Sequence, residues 1–237
     1  MKIKAVLFDL DGTLLPMEQE QFFREYFKLL ATKLYPYGYD DPKKLVKVIW
    51  AGVTAVEQSD GSRVNEEVFW DCFNKGFPEK TDDKIGVLRE FYLNEFQQLK
   101  DVCGYNPEAD KAVKEIKKKG LVTVVATKPI FPDEANLSRM AWAGVNADDF
   151  EYYTSYDKCC FCKPDVRYYK EIAEKLGVLP EECLMVGNDV SDDMTAEKIG
   201  MKVFLLTDCL INSENKNISC YKSGSFADLL DYVDILI

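Results

Sequence analysis

The 237-residue chain contains no histidine. That absence removes Ser-His and Cys-His nucleophile pairs and every His-ligated metal site. Acid–base chemistry near neutral pH is left to carboxylates, lysine, tyrosine and cysteine. Positive charge is also in deficit: 30 Lys and Arg stand against 41 Asp and Glu, a net charge of −11. A surface of that average sign repels nucleic acid and anionic membranes, so neither is expected as a partner. No apolar run approaches the length needed to span a bilayer. The opening "MKIKAVLFDLDG" starts like a signal peptide, with lysines followed by apolar residues. Asp9 and Asp11 interrupt it too early for a signal core. The expected location is therefore cytoplasmic, where the eight cysteines are expected as reduced, mostly buried thiols. Internal repeats and low-complexity segments are missing as well.

What is present is an ordinary globular composition, 47% hydrophobic and 30% charged, in a chain long enough for one large domain or two modest ones. "KAVLFDL" (Lys4 to Leu10) is a short apolar run ending in "DGT", which predicts a buried parallel strand and a turn. From Glu18 to about Lys100 the periodicity is helical. "QFFREYFKLLATKL", "DDPKKLVKVIWAGVTAV" (Asp41 as N-cap, Pro42 at the first helical position), "NEEVFWDCF" and "DDKIGVLREFYLNEFQQL" predict four helices without an intervening strand. After Gly104 the pattern alternates. Helices are expected at "PEADKAVKEIKKKG", "DEANLSRMAWAG", "DVRYYKEIAEKLG", "SDDMTAEKIG" and "SFADLLDYV", and strands at "LVTVVAT", "FEYYTS", "CLMVG" and "KVFLL". The expected fold class is α/β: a Rossmann-like parallel sheet with helices on both faces and an inserted all-helical unit. The expected division is 1–16 and 101–237 for the core and 17–100 for the insert.

In open parallel sheets, ligands bind beyond the carboxyl ends of the strands. Those ends carry Asp9, Asp11 and Gly12-Thr13 after the first strand, and Thr127-Lys128 after "LVTVVAT". Lys163 follows in the next loop, and Asp189, with Asp192 and Asp193 behind it, comes after "CLMVG". Taken singly, an Asp after a strand is a turn former or a helix cap. Gathered on one rim, carboxylates repel by about 4 kcal/mol per pair at 4 Å and an effective dielectric near 20. Such crowding persists when a cation sits among them. Oxygen-only ligands suit Mg²⁺, and Mg²⁺ beside a lysine and a threonine hydroxyl makes a receptor for phosphate.

"DLDGT", "VVATK", "CKPD" and "VGNDVSDD" resemble, in order, the four motifs of the haloacid dehalogenase (HAD) superfamily, and the helical insert stands where that family places a type-1 cap. The resemblance covers essentially the whole chain. It implies a Mg²⁺-dependent phosphatase acting on a small phosphorylated metabolite through an aspartyl-phosphate. Asp9 would be the nucleophile, and Asp11 would protonate the leaving alcohol and then deprotonate the hydrolytic water. Mg²⁺ would be held by the side chains of Asp9 and Asp189 and the main-chain carbonyl of Asp11. Gly12, Thr13, Thr127, Lys128 and Lys163 would receive the phosphate, with Lys163 neutralising developing charge.

Asp193 is read as the acid that orients Lys163 or a metal-bound water, with Asp192 as its alternate. Lys128 either adds a second positive charge near the phosphate or points into solvent. Asn188 stands where the family usually has Gly directly before Asp. The two acids of "DLD" share a face only if the strand runs on regularly past Asp9.

Within the family, Asp11 favours phosphoryl chemistry over dehalogenation, and "DGT" leans away from a sugar-phosphate mutase. A receiver-like signalling module that stores an aspartyl-phosphate without turnover is the alternative from another class. The oligomeric state is not legible. "YDKCCFCKPD" places Cys159, Cys160 and Cys162 just before Lys163. With no second pair at a zinc spacing and no histidine, zinc is not expected there. A redox role for Cys159 and Cys162 is left as the lesser reading.

Overall fold

A computed structural model describes residues 2–79 and 84–237. Six strands form one parallel sheet: β1 (Ala5–Phe8), β2 (Val122–Val125), β3 (Tyr152–Tyr153), β4 (Cys183–Gly187), β5 (Lys202–Leu206) and β6 (Lys222–Gly224). Their spatial order is β3-β2-β1-β4-β5-β6, and every pairing is parallel. The order reverses between β1 and β4, so a crevice opens beyond their carboxyl ends.

The central strands read as continuous apolar runs because both faces are covered. Val6 and Phe8 of β1, Leu184 and Val186 of β4, and Phe204 and Leu206 of β5 enter one apolar cluster. The alternate residues Ala5, Leu7, Cys183, Met185, Val203 and Leu205 enter the other. Helices α5 (Pro107–Lys118), α6 (Asp133–Trp142) and α8 (Phe226–Leu236) supply the first cluster, and α7 (Val166–Leu176) supplies the second. Asn106 and Asp165 cap α5 and α7, each accepting from a main-chain N–H.

Between β1 and β2 the described residues form α1 (Gln19–Leu34), α2 (Pro42–Glu57), α3 (Asn65–Gly76) and α4 (Lys84–Leu93). As expected, the Asp41 carboxylate accepts from Lys44 N at 3.0 Å and Pro42 begins α2. The helix expected to start at Asp82 is described from Lys84; Asp82 and Asp83 lie outside the described residues. That helix also ends earlier than its periodicity predicts. Asn94 leaves helical geometry, its amide donates back to Glu90 O at 2.9 Å, and a 3₁₀ segment, Glu95–Val102, continues the chain.

Two other expectations are corrected. "SDDMTAEKIG" forms a 3₁₀ turn, Met194–Ile199, closed by Gly200 at φ 91°. A sixth strand, "KSG", escaped the sequence reading because it is short, polar and at the sheet edge. Phe22, Tyr26, Phe91 and Phe96 of the insert join the same apolar cluster as Phe8 and Val125, so the insert packs directly on the sheet's helical layer. Among the described residues no helix is long and apolar enough to cross a membrane.

Candidate active site

The site grows from the ends of β1 and β4. Asp9 follows β1 directly, and its N–H still bonds Val186 O at 2.9 Å, so the sheet itself fixes this carboxylate. The backbone then turns. Gly12 N and Leu15 N donate to Leu15 O and Leu10 O at 2.8 Å each. Gly12 adopts φ 84°, and a Cβ there would lie 2.3 Å from the Asn188 side-chain nitrogen. β1 therefore does not run on regularly past Asp9, yet the turn still leaves Asp11 on the wall of the same crevice as Asp9.

Asp11 pairs with Arg139 of α6, a residue the sequence reading did not single out. Arg139 is fully buried, donates to Ala135 O and Asn136 Oδ1, and lies 4.5 Å over the Phe131 ring. A signal was available: Arg139 falls in line with Ala135 and Ala143, on the apolar stripe of α6. Burial raises the Asp11 carboxyl above its ordinary range against the pull of Arg139. Its Oδ1 is buried without a hydrogen-bond partner.

Lys163 is the hub. Its Nζ donates to Asp9 Oδ1 at 2.8 Å and to Asp193 Oδ1 at 2.6 Å, and the side chain is 1% exposed. Burial opposes its charge, but Asp193 and then Asp9 outweigh that and hold its pKa well above the ordinary lysine value. The other Asp193 oxygen accepts from Asn188 N (3.0 Å) and Asp189 N (2.9 Å). Burial raises Asp193 above the carboxylate range against the pull of Lys163. Asp193, not Asp192, thus grips the lysine. A Cβ at Gly187 would lie 2.1 Å from Asp193 Oδ2, so β4 has to end in glycine for that carboxylate to fit.

Asp192 instead faces Lys128 at 3.2 Å, and Glu57 at the end of α2 reaches the same ammonium at 2.6 Å. Lys128 therefore lines the crevice and does not point into solvent. Burial works against its charge, but Asp192, Cys162 and Glu57 raise its pKa overall. Asp189 accepts from Ser191 N and Asp192 N at 2.7 and 2.9 Å. Burial raises its pKa.

A crevice of about 150 Å³ is walled by Asp9, Asp11, Thr127, Lys128, Lys163, Asp189, Asp192 and Asp193, joined by Glu57 and Asn188. Gly12 and Thr13 do not wall it. The Thr13 hydroxyl donates to Asn188 Oδ1 at 2.9 Å and Asp9 Oδ2 at 3.3 Å and so braces the wall from behind. Asn188, noted only as a departure in the motif, ties the end of β4 to the turn after β1 through Thr13 and to the loop after β5 through its amide, which donates to Cys209 O at 2.7 Å.

Cys159 and Cys162 are buried, and all eight cysteines are free thiols. Burial pushes the Cys159 thiol up to about 12 and Cys162 higher still. A low-pKa redox pair is the opposite of this.

A haloacid dehalogenase-like hydrolase family profile matches residues 3–200. Pyrophosphatase PpaX of Bacillus cereus is 28% identical over 85% of this chain and 82% of its own length. Enolase-phosphatase E1 of Aquifex aeolicus is 22% identical over 85% and 88%. Among solved structures, a HAD phosphatase from Thermococcus onnurineus superposes with a TM-score of 0.59 at 19% identity, covering 98% of both chains. The L-2-haloacid dehalogenase of Xanthobacter autotrophicus reaches 0.51 at 19% identity, covering 90% of this chain and 80% of its own. With a match spanning most of its length, the chain belongs to the haloacid dehalogenase-like hydrolase family.

Proposed function

We propose that the protein is a Mg²⁺-dependent phosphohydrolase that cleaves a small phosphorylated metabolite through a phosphoryl group held on Asp9. The carrying observation is the buried lysine that bridges Asp9 and Asp193 in the wall of a crevice whose carboxylates outnumber its ammonium groups. A phosphate dianion meets net repulsion there unless a cation joins it.

The donor set fits Mg²⁺. It is all oxygen, Asp9 and Asp189 both face the crevice, and the main-chain carbonyl of Asp11 lies on the turn between β1 and the insert. Among the described residues no three acidic or cysteine side chains converge into a metal cage. When bound, Mg²⁺ supplies the positive charge that offsets the phosphate and the acids.

The remaining work belongs to the chain. An Asp9 oxygen attacks phosphorus as the ester P–O bond breaks, and Asp11 gives its proton to the departing alcohol oxygen. Asp11 then takes a proton from the water that attacks the phosphoryl group on Asp9, releasing inorganic phosphate and restoring both acids. Burial pulls Asp11 toward its protonated form, and its pairing with Arg139 pulls the other way. Lys163 holds Asp9 oriented and offsets charge on the transferring group, and Asp193 holds Lys163. Thr127 and Lys128 face the phosphate side of the crevice. The insert, residues 17–100, acts as the cap over the site, with Glu57 contacting Lys128 across the crevice. The relatives named as pyrophosphatase and enolase-phosphatase support this reading.

The test is phosphate release from a panel of phosphorylated metabolites with Mg²⁺, with Asp9→Asn as the blank. Metal-dependent release by Asp9→Asn comparable to the parent would sink the mechanism.

A further inference from the structure

The catalytic crevice does not end at the phosphate. Phe23, Trp50, Val53, Ile130 and Phe131 wall it and also wall a second, larger chamber of about 360 Å³ between the insert and the core. A leaving group pointing away from Asp9 therefore enters a room already inside the size range of small-molecule sites, about 300–1,000 Å³.

The lining of that room is aromatic. Phe23 and Phe27 flank Trp50 at 5.3 and 5.8 Å, and Phe69 meets Trp70 at 5.4 Å. Phe131, backed by Arg139, closes the floor. Packing in a core would bury these rings, yet Trp50 is 41% exposed and Phe23, Phe27, Phe69 and Trp70 are only half-buried. Apolar surface left wet inside a concavity is recovered when an apolar ligand displaces the water.

Acids outnumber bases in the chamber's described walls. Glu66, Asp133, Glu134 and Asp157 stand in its walls. Among the described wall residues Arg89 is the one cation, and it is taken by Glu134 at 3.1 Å. Asp133 is paired with Lys158 at 2.7 Å and Glu134 with Arg89, so Glu66 and Asp157 leave the described walls net negative, and a second phosphate or a carboxylate on the substrate is repelled there.

Building on the phosphohydrolase reading, we propose that the chamber is the leaving-group site and that it selects phosphate monoesters of a flat, aromatic alcohol bearing no further negative charge. Pyrophosphate and phosphorylated carboxylic acids are then poor substrates of this chain, in contrast to the relative named as a pyrophosphatase.

The test compares esters whose alcohols leave with similar intrinsic ease: ethyl, benzyl and 2-naphthylmethyl phosphate, alongside pyrophosphate and 2-phosphoglycolate, all with Mg²⁺. The expected kcat/KM rises from ethyl to 2-naphthylmethyl phosphate by about tenfold or more, chiefly through KM. Pyrophosphate and 2-phosphoglycolate are expected to fall below benzyl phosphate. Phe27→Ala is expected to cut the naphthylmethyl-to-ethyl ratio of kcat/KM several-fold, a ratio that general misfolding leaves unmoved. A ratio near one in the parent, or pyrophosphate as the better substrate, overturns the aromatic chamber and leaves the hydrolase standing. No phosphate released from any ester, 4-nitrophenyl phosphate included, overturns both.

Discussion

Lys163 occupies a position where every neighbour depends on it. Removing its charge leaves Asp9 and Asp193 buried without a cation, a loss of about 3–5 kcal/mol for a broken buried pair. Lys163→Met is expected to lower the urea midpoint accordingly and to abolish phosphate release. Asp9→Asn keeps the packing and is expected to lose at least ~10³-fold in kcat with little change in melting temperature, as read by calorimetry and phosphate assay. At this scale the sequence was most legible, because Asp9, Lys163, Asp189 and Asp193 sit at fixed offsets from strand ends. Asp193 separated from Asp192 only in three dimensions, where one oxygen lies toward Lys163 and the other toward two main-chain amides. Arg139 was hidden for a related reason: its partner Asp11 is 128 residues away. Thiols give a further expectation. Burial holds Cys159 and Cys183 near a pKa of about 12 against an ordinary 9.0. A thiol that ionises less readily folded than unfolded stabilises the fold fully below pH 9, and that contribution is lost as pH rises toward 12. Urea midpoints between pH 8 and 11 should therefore fall more steeply for the parent than for a Cys159→Ala, Cys183→Ala double variant.

Local signals set the elements unevenly. Asp41-Pro42 opened α2 as capping chemistry requires, and Asp41→Ala is expected to cost about 1 kcal/mol, visible as a lower melting temperature. The strands of the sheet centre were readable because they are apolar on both faces. The edge strand Lys222–Gly224 carries no such run and takes its conformation from pairing with β5 alone. The break at Asn94 was invisible to periodicity, since apolar residues continue through Phe96 and Leu99 while the side-chain amide bonds the preceding turn. The turn at Met194 starts directly after Asp193, whose carboxylate is held by Lys163.

For the whole molecule, the excess of acid around the crevice has a thermodynamic signature. A cation that binds only the folded state adds about 2.7 kcal/mol of stability at a hundred times its Kd. Mg²⁺ is expected to raise the melting temperature of the parent, and EDTA to remove both that rise and the phosphatase activity; no rise with Mg²⁺ would count against the metal site. The alternation of strand and helix told of the sheet, and the helical stretch told of an insert, but how the two are fastened was not in the pattern. Beside the shared apolar cluster, one polar fastening lies in "YDKCCFCKPD". Glu66 N donates to Tyr156 O at 2.8 Å, Asn65 N to Cys159 O at 2.8 Å, and the Asn65 amide to Phe161 O at 3.0 Å. Tyr156, Cys159 and Phe161 lend their carbonyls as an anchor strip for the first turn of α3. A displacement of α3 must either break these bonds or drag the strip with it, and the strip ends at Lys163. A shift of α3 against the core is thus resisted by the same segment that carries the lysine bonded to Asp9.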